Sequence, residues 1–180
     1  MHHDIIMAGF GGQGILMIGN LLAVGALRRG YRVTFFPAYG VEMRGGTANC
    51  TVTISDREIG SPVTARPLGL VAMNEPSVVK FGPRVRAGGV VVVNASIVPE
   101  GVLDREDVRV VRVPCNDVAA DLGDPRLASM VALGAYVAAS GVLPVDAVAE
   151  VLPEVLPEKV HRLIPLNQKA LEAGADRAGA

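Results

Sequence analysis

Asp4-Ile5-Ile6-Met7-Ala8 is a short apolar run that passes through Gly9-Phe10-Gly11-Gly12-Gln13-Gly14 into Ile15-Leu16-Met17-Ile18-Gly19-Asn20-Leu21-Leu22-Ala23, whose apolar spacing suits a helix. A strand that hands over to a helix through a tight glycine turn leaves several backbone N–H groups unpaired. They stand at the positive end of the helix dipole, where a phosphate or carboxylate is well placed. Gly9, Gly11, Gly12, Gln13 and Gly14 are therefore candidate ligand-binding residues. The competing reading is structural, with the glycines serving only to let helix and strand pack closely.

The turn contains Gly-x-Gly-x-x-Gly, the pattern of dinucleotide-binding folds. In those folds the second strand ends in an Asp or Glu that grips the ribose hydroxyls. Here the second strand reads Tyr31-Arg32-Val33-Thr34-Phe35-Phe36 and runs into Pro37, and the nearest acid, Glu42, lies beyond its end. A nucleotide phosphate loop is excluded more directly, because Ile15 stands where that motif needs its lysine.

A glycine-rich connection, Pro37-Ala38-Tyr39-Gly40-Val41-Glu42-Met43-Arg44-Gly45-Gly46-Thr47, follows the second strand, and long loops leaving strand ends are where α/β sheets bind ligands. Arg44, Gly45 and Gly46 join the candidate set. The glycines let a ligand approach the backbone, and the guanidinium either holds a phosphate or carboxylate in two-pronged fashion or pairs with Glu42. Tyr39 either stacks on a base or plugs the loop. Only eleven residues separate Phe36 from Ala48, too few for a comfortable crossover helix, so the third strand is free to make an antiparallel excursion.

The remaining chain alternates strand and helix. Strands are expected at 4–8, 31–36, 48–55, 69–72, 89–94 and 109–114, and helices at 12–29, 77–81, 116–122, 127–140, 145–151 and 160–173. Val90-Val91-Val92-Val93 is a continuous apolar run, as in a strand covered on both faces. Gly30 reads as a helix stop, Asn116 as a cap and Pro144 as a helix start. The order predicts an α/β protein, a three-layer sandwich around a mostly parallel, Rossmann-like sheet. One domain is expected over residues 1–173, with a flexible tail at 174–180.

With 180 residues, half of them apolar, and 17 basic against 18 acidic side chains, the chain can bury a substantial core, and no basic surface for nucleic acid is expected. Cys50 and Cys115 lack the spacing of a metal or iron–sulfur site and read as buried thiols. His2, His3 and His161 suggest no metal centre. No secretory signal is read at the N-terminus, and Leu127–Leu143 is too short and too interrupted for a membrane span, so a cytoplasmic protein is expected.

Taken together, Gly9–Gly14, the run Tyr39-Gly40-Val41-Glu42-Met43-Arg44-Gly45-Gly46-Thr47-Ala48-Asn49-Cys50, and Ile59-Gly60-Ser61-Pro62 resemble the gamma subunit of the 2-oxoacid:ferredoxin (or acceptor) oxidoreductases. The likeness continues through Met73-Asn74-Glu75-Pro76-Ser77, Leu133-Gly134-Ala135-Tyr136 and Asn167-Gln168-Lys169-Ala170, almost the whole chain. The resemblance implies one subunit of a complex that decarboxylates a 2-oxoacid oxidatively and delivers the acyl group to coenzyme A. Thiamine diphosphate, magnesium and iron–sulfur clusters are then held by partner alpha, beta and ferredoxin-like delta subunits, and electrons leave to ferredoxin or another acceptor. For this chain it implies no catalytic residue, coenzyme A as the ligand of the glycine turn, and Arg44, Arg66 or Lys80 as sources of further phosphate contacts. The Met43–Cys50 wording leans slightly towards 2-oxoglutarate over pyruvate or a branched-chain 2-oxoacid. Two other readings stay open: a scaffold subunit of the same complex with no ligand site, and a free-standing nucleotide-binding oxidoreductase.

Overall fold

The computed structural model describes residues 1–39 and 47–179. Glu42, Arg44, Gly45 and Gly46 therefore lie outside the described residues. Six strands form one sheet: β1 (His2–Phe10), β2 (Arg32–Tyr39), β3 (Thr47–Ser55), β4 (Gly69–Ala72), β5 (Val90–Asn94) and β6 (Arg109–Val113), in the spatial order β2-β3-β1-β4-β5-β6. β1, β4, β5 and β6 run parallel, and β3 lies antiparallel to both β1 and β2. The excursion expected from the short connection after Phe36 is thus present. β3 is the one reversed strand among the described residues, and Pro37 is tolerated because β2 is the edge of the described sheet.

The two faces of the sheet are covered unequally. Ile5, Met7, Val71 and Val92 point to the larger core, beneath α1 (Ile15–Arg28), α4 (Ala128–Ser140) and α7 (Ile164–Ala178). Ile6, Ala8, Leu70, Ala72, Val91 and Val93 point to the smaller one, closed by Val78 and Phe81 of α2 (Glu75–Phe81). The short helices α3 (Cys115–Asp121), α5 (Val145–Ala149) and α6 (Leu152–Val155) complete the layers. α4, with nine buried positions, is apolar all round because it is sandwiched between sheet and α7, and no described helix is long and apolar enough to cross a membrane.

Three local expectations are corrected. Asn116 is not a cap: Pro114 precedes the first residue of α3 and Asn116 lies inside it. The single helix expected over 160–173 is a 3-10 turn over Glu158–Leu163 followed by α7. Pro165 explains the break, because proline is accommodated only in the first turn of a helix, so a helix containing it must begin just ahead of it. The tail expected to fray is helical as far as Ala178: Gly174 lies directly against the Val131 carbonyl of α4, Ala178 is buried, and the Ala178 carbonyl accepts a hydrogen bond of 2.7 Å from Arg109 Nη2.

Candidate functional site

The carboxyl ends of β1 and β4 meet at Ala8 and Ala72, and the chain leaves β1 through the glycine turn. Phe10 to Gln13 form a β-turn closed twice, by Gln13 N–H donating to the Phe10 carbonyl at 3.1 Å and by Phe10 N–H donating to Gln13 Oε1 at 2.6 Å. Gln13 is therefore a brace, using its side-chain oxygen to hold the bend. Gly9 is buried at the strand end, where a Cβ would press on Gln13 Oε1 and Ile15, so its smallness serves packing. Gly12 has φ 91°, with nothing within 4 Å of where a Cβ would stand. It is glycine for its backbone conformation, in open space.

Gly14 is the residue before α1, at φ 75°, and no side chain caps the helix. Among the described residues the amides of Gly11, Gly12 and Gly14 have no protein acceptor. Phe10, Gly11 and Gly12 are exposed. The turn is accordingly an open arc of donors at the N-terminus of a 14-residue helix, the arrangement that binds anions.

A cleft of about 240 Å3 lies against this turn, with Gly12 and Gln13 on one side and Asn116, Pro125, Arg126 and Ala128 on the other, above Met73 at the end of β4. Asn116 is fixed from below. Asn94, fully buried at the end of β5, donates from Nδ2 to Asn116 Oδ1 at 2.9 Å, while its own Oδ1 accepts from Cys115 N–H at 3.2 Å. With its oxygen occupied, Asn116 is left with an amide NH2 to donate. Arg126 is the one charged residue of the cleft wall among the described residues and is paired with Asp124, from Nη2 at 2.7 Å and Nε at 2.9 Å. That guanidinium holds the Asp124 carboxyl below the usual carboxylate range.

Ser129, in the first turn of α4, sits directly under the glycine turn. It is 1% exposed, its hydroxyl has no hydrogen-bond partner, and a Cβ on Gly14 would fall 2.6 Å from its Oγ. The N-termini of α1 and α4 thus converge on one floor. Asn74, next to Met73, is also buried, with Oδ1 capping α2 through Ser77 N–H at 2.9 Å and its Nδ2 unpartnered.

Of the residues picked out in the sequence, the structure places Gly12 and Gln13 in the cleft wall, with Gly11 and Gly14 beside them in the turn, and buries Gly9 at the strand end. Arg66 precedes the amino end of β4, the opposite end of the sheet, and Lys80 stacks on Phe81 with its Nζ 5.2 Å from the ring; neither belongs to the cleft wall. Asn94, Asn116, Arg126 and Ser129 were missed, although Asn94 and Asn116 follow the rule that ligands sit beyond the carboxyl ends of parallel strands. Burial pushes the Cys50 and Cys115 thiols up to about 12, so both stay protonated and inert. Among the described residues no three His, Cys, Asp or Glu side chains gather as a metal site would need.

Residues 4–177 match the family of pyruvate ferredoxin/flavodoxin oxidoreductases. The chain belongs to that family. It is 38% identical over 174 residues to the ketoisovalerate oxidoreductase subunit VorA of Methanothermobacter marburgensis, covering 96% of this chain but 36% of that protein. The chain thus spans about a third of the length of the VorA relatives it matches. It is 33% identical over 182 residues to the 2-oxoglutarate synthase subunit KorC of the same organism, covering 98% of this chain and 96% of the relative. Among solved structures it superposes on the gamma subunit of a keto/oxoacid ferredoxin oxidoreductase from Geobacter sulfurreducens with a TM-score of 0.84 at 28% identity, covering 99% of this chain and 97% of the other. A 2-oxoglutarate:ferredoxin oxidoreductase of Magnetococcus marinus, with 2-oxoglutarate, coenzyme A and succinyl-CoA bound, shares the fold at a TM-score of 0.87 and 24% identity, covering 99% of this chain and 31% of that one.

Proposed function

We propose that this chain is the gamma-type subunit of a cytoplasmic, multisubunit 2-oxoacid:ferredoxin oxidoreductase, and that it holds the phosphate-bearing end of coenzyme A at the glycine turn. The observation that carries the reading is the arc of amides at Gly11, Gly12 and Gly14, without protein acceptors among the described residues, beside a cleft lined by Gly12 whose one charged side chain among those residues is cationic. That is an anion's environment, and among the described residues β2 ends in Pro37-Ala38-Tyr39 with no acid for the ribose hydroxyls that a nicotinamide site requires. Its volume, about 240 Å3, is below the 300 Å3 or so at which pockets begin to enclose a whole drug-sized ligand, so one end of the coenzyme is held and the rest extends towards other subunits. Gly45, Gly46 and the Arg44 guanidinium are proposed as a further wall. Thr47, the first residue after them, pairs with Phe10 at the turn itself.

Support from relatives is of two kinds. The solved complex that shares the fold contains coenzyme A. The relatives include both a ketoisovalerate and a 2-oxoglutarate enzyme subunit, which fits a division of labour in which partner alpha, beta and delta subunits, carrying thiamine diphosphate, magnesium and iron–sulfur clusters, choose the 2-oxoacid. 2-Oxoglutarate is proposed as substrate on the likeness of residues Met43–Cys50 alone.

The test is Gly12→Val in the assembled complex. The site of the new side chain is empty, so the cost to stability is the backbone strain of a branched residue at positive φ, about 1–2 kcal/mol, and assembly is retained. Calorimetric titration is expected to show coenzyme A binding weakened by at least about a hundredfold, since the branch blocks approach to the amides. Unchanged binding in the variant assigns the turn to packing and this chain to scaffolding.

A further inference from the structure

The glycine turn offers backbone donors to a pyrophosphate, yet the cleft contains more. Arg126 stands across from Gly12 and Gln13, 79% exposed at its side chain, held by an ion pair to the next-but-one residue. Asp124, by contrast, is 13% exposed and does more than pair with the guanidinium. Its Oδ1 accepts from Arg126 N–H at 3.0 Å and so starts the 3-10 turn Pro125–Leu127 that leads into α4. If the guanidinium leaves, the carboxylate keeps a backbone partner, and the turn keeps its cap. Arg126 is thus an arm that can move without unmaking the structure that carries it.

We propose that Arg126 reads the 3′-phosphate of coenzyme A, exchanging Asp124 for that group when the ligand enters. The inference rests on the reading of the glycine turn as the coenzyme's phosphate site. Charge decides which phosphate Arg126 takes. A guanidinium already paired with a carboxylate is drawn away only by a stronger anion, and a phosphomonoester carries close to two negative charges near neutral pH, whereas each phosphate of the pyrophosphate bridge carries one. Asp124 therefore acts as a filter, favouring the monoester over any singly charged group that reaches the same space.

The remaining wall fits this assignment. Asn116 offers an amide NH2 beside Arg126, its oxygen already engaged by Asn94. Next to Gly14, the buried and unpartnered hydroxyl of Ser129 leaves an unmatched polar atom between the N-termini of α1 and α4. The α4 terminus at Ala128 and the Arg126 cation line one cleft, the orphan hydroxyl lies buried next to Gly14, and among the described residues the cleft wall contains no acid.

The experiment measures dissociation constants by calorimetry on the assembled complex without 2-oxoacid, so that no turnover occurs, for coenzyme A and for its 3′-dephospho form. Arg126→Gln is expected to weaken coenzyme A about tenfold and to leave dephospho-coenzyme A within about twofold. Asp124→Asn, which keeps an oxygen for the cap, is expected to tighten coenzyme A by about threefold, because the arm is no longer held. Equal weakening of both ligands by Arg126→Gln overturns the assignment by placing Arg126 on the pyrophosphate, and no change in either overturns it outright. Gly12→Val separates the two proposals: if it weakens both ligands while Arg126→Gln weakens neither, only the role of Arg126 falls. If Gly12→Val weakens neither, the phosphate site at the turn falls with it.

Discussion

The two ends of the central sheet treat polar groups in opposite ways. At the amino ends, His3 Nε2 lies 2.5 Å from the Tyr136 hydroxyl, and Asp4 accepts from Leu68 N–H at 2.9 Å and pairs with Arg86. His3, Asp4 and Tyr136 are all buried, and each is answered by another group. At the carboxyl ends, among the described residues, the amides of Gly11, Gly12 and Gly14 have no protein acceptor, and Ser129 Oγ and Asn74 Nδ2 are buried without a partner, as are Arg86 Nε and Thr34 Oγ1 towards the amino ends. Buried side-chain atoms without a partner thus occur at both ends, and what sets the carboxyl end apart is its run of backbone amides without acceptors, for which a ligand is a natural cause. On the function proposed above, one end stabilises the fold and the other meets a ligand.

Disturbing the closed end is expected to cost the most. Gly69 starts β4, and a Cβ there would collide with the Tyr136 hydroxyl and ring, buried groups with nowhere to move. Gly69→Val combines overpacking with a broken His3–Tyr136 pair. It is expected to lower unfolding stability by about 3–5 kcal/mol, read as a shifted urea midpoint. A loss comparable to that of Gly12→Val at the open end erases the distinction between the two.

A pH titration probes the same closed end more finely. Burial pushes the His3 imidazole down from 6.5 to about 4, with Asp4 opposing and Arg86 and His2 adding to the shift. The unfolded chain takes up a proton near pH 6.5 that the folded chain refuses until about pH 4. Stability from this group is complete above 6.5 and falls as the pH drops through that window, by about 3 kcal/mol in all. Asp4 and Asp124, whose carboxyls are held low, contribute stability that is lost only below about 3.8, so the windows do not overlap. Urea midpoints between pH 7 and 4.5 are expected to fall for the wild type and to stay nearly flat for His3→Gln; parallel curves would show that the imidazole is not held neutral.

How far these ends were legible in the sequence follows from how each is assembled. β1, the glycine turn and α1 are contiguous, and apolar spacing plus glycine chemistry suffices to place them. The reversed β3 was legible from the eleven residues available before it. The far wall of the cleft was not, because Gly12, Asn94, Asn116 and Arg126 come from four separate stretches of chain whose meeting depends on strand order, which local pattern does not encode. The His3–Tyr136 pair, 133 residues apart, was hidden for the same reason. The helix break at Pro165 was readable in principle, since proline marks a first turn, but the apolar periodicity running through it masked the signal.

At Ser129 the change in stability is expected to be slight, and there the sign carries the information. Its hydroxyl is buried without a partner, so the fold bears a desolvation cost for keeping it. Removing the oxygen relieves that cost and leaves a void of a single atom, with Ala matching the small size required beside Gly14. Ser129→Ala is expected to be neutral or to stabilise by up to about 1 kcal/mol in thermal unfolding, while weakening coenzyme A in the assembled complex. The same deletion at the closed end, Tyr136→Phe, leaves His3 unanswered and destabilises by about 1–2 kcal/mol. Opposite signs for two hydroxyl deletions at opposite ends of one sheet would mean that Ser129 is retained at the expense of the fold for what enters the cleft; a destabilising Ser129→Ala would make it an ordinary core residue and return the open end to structure.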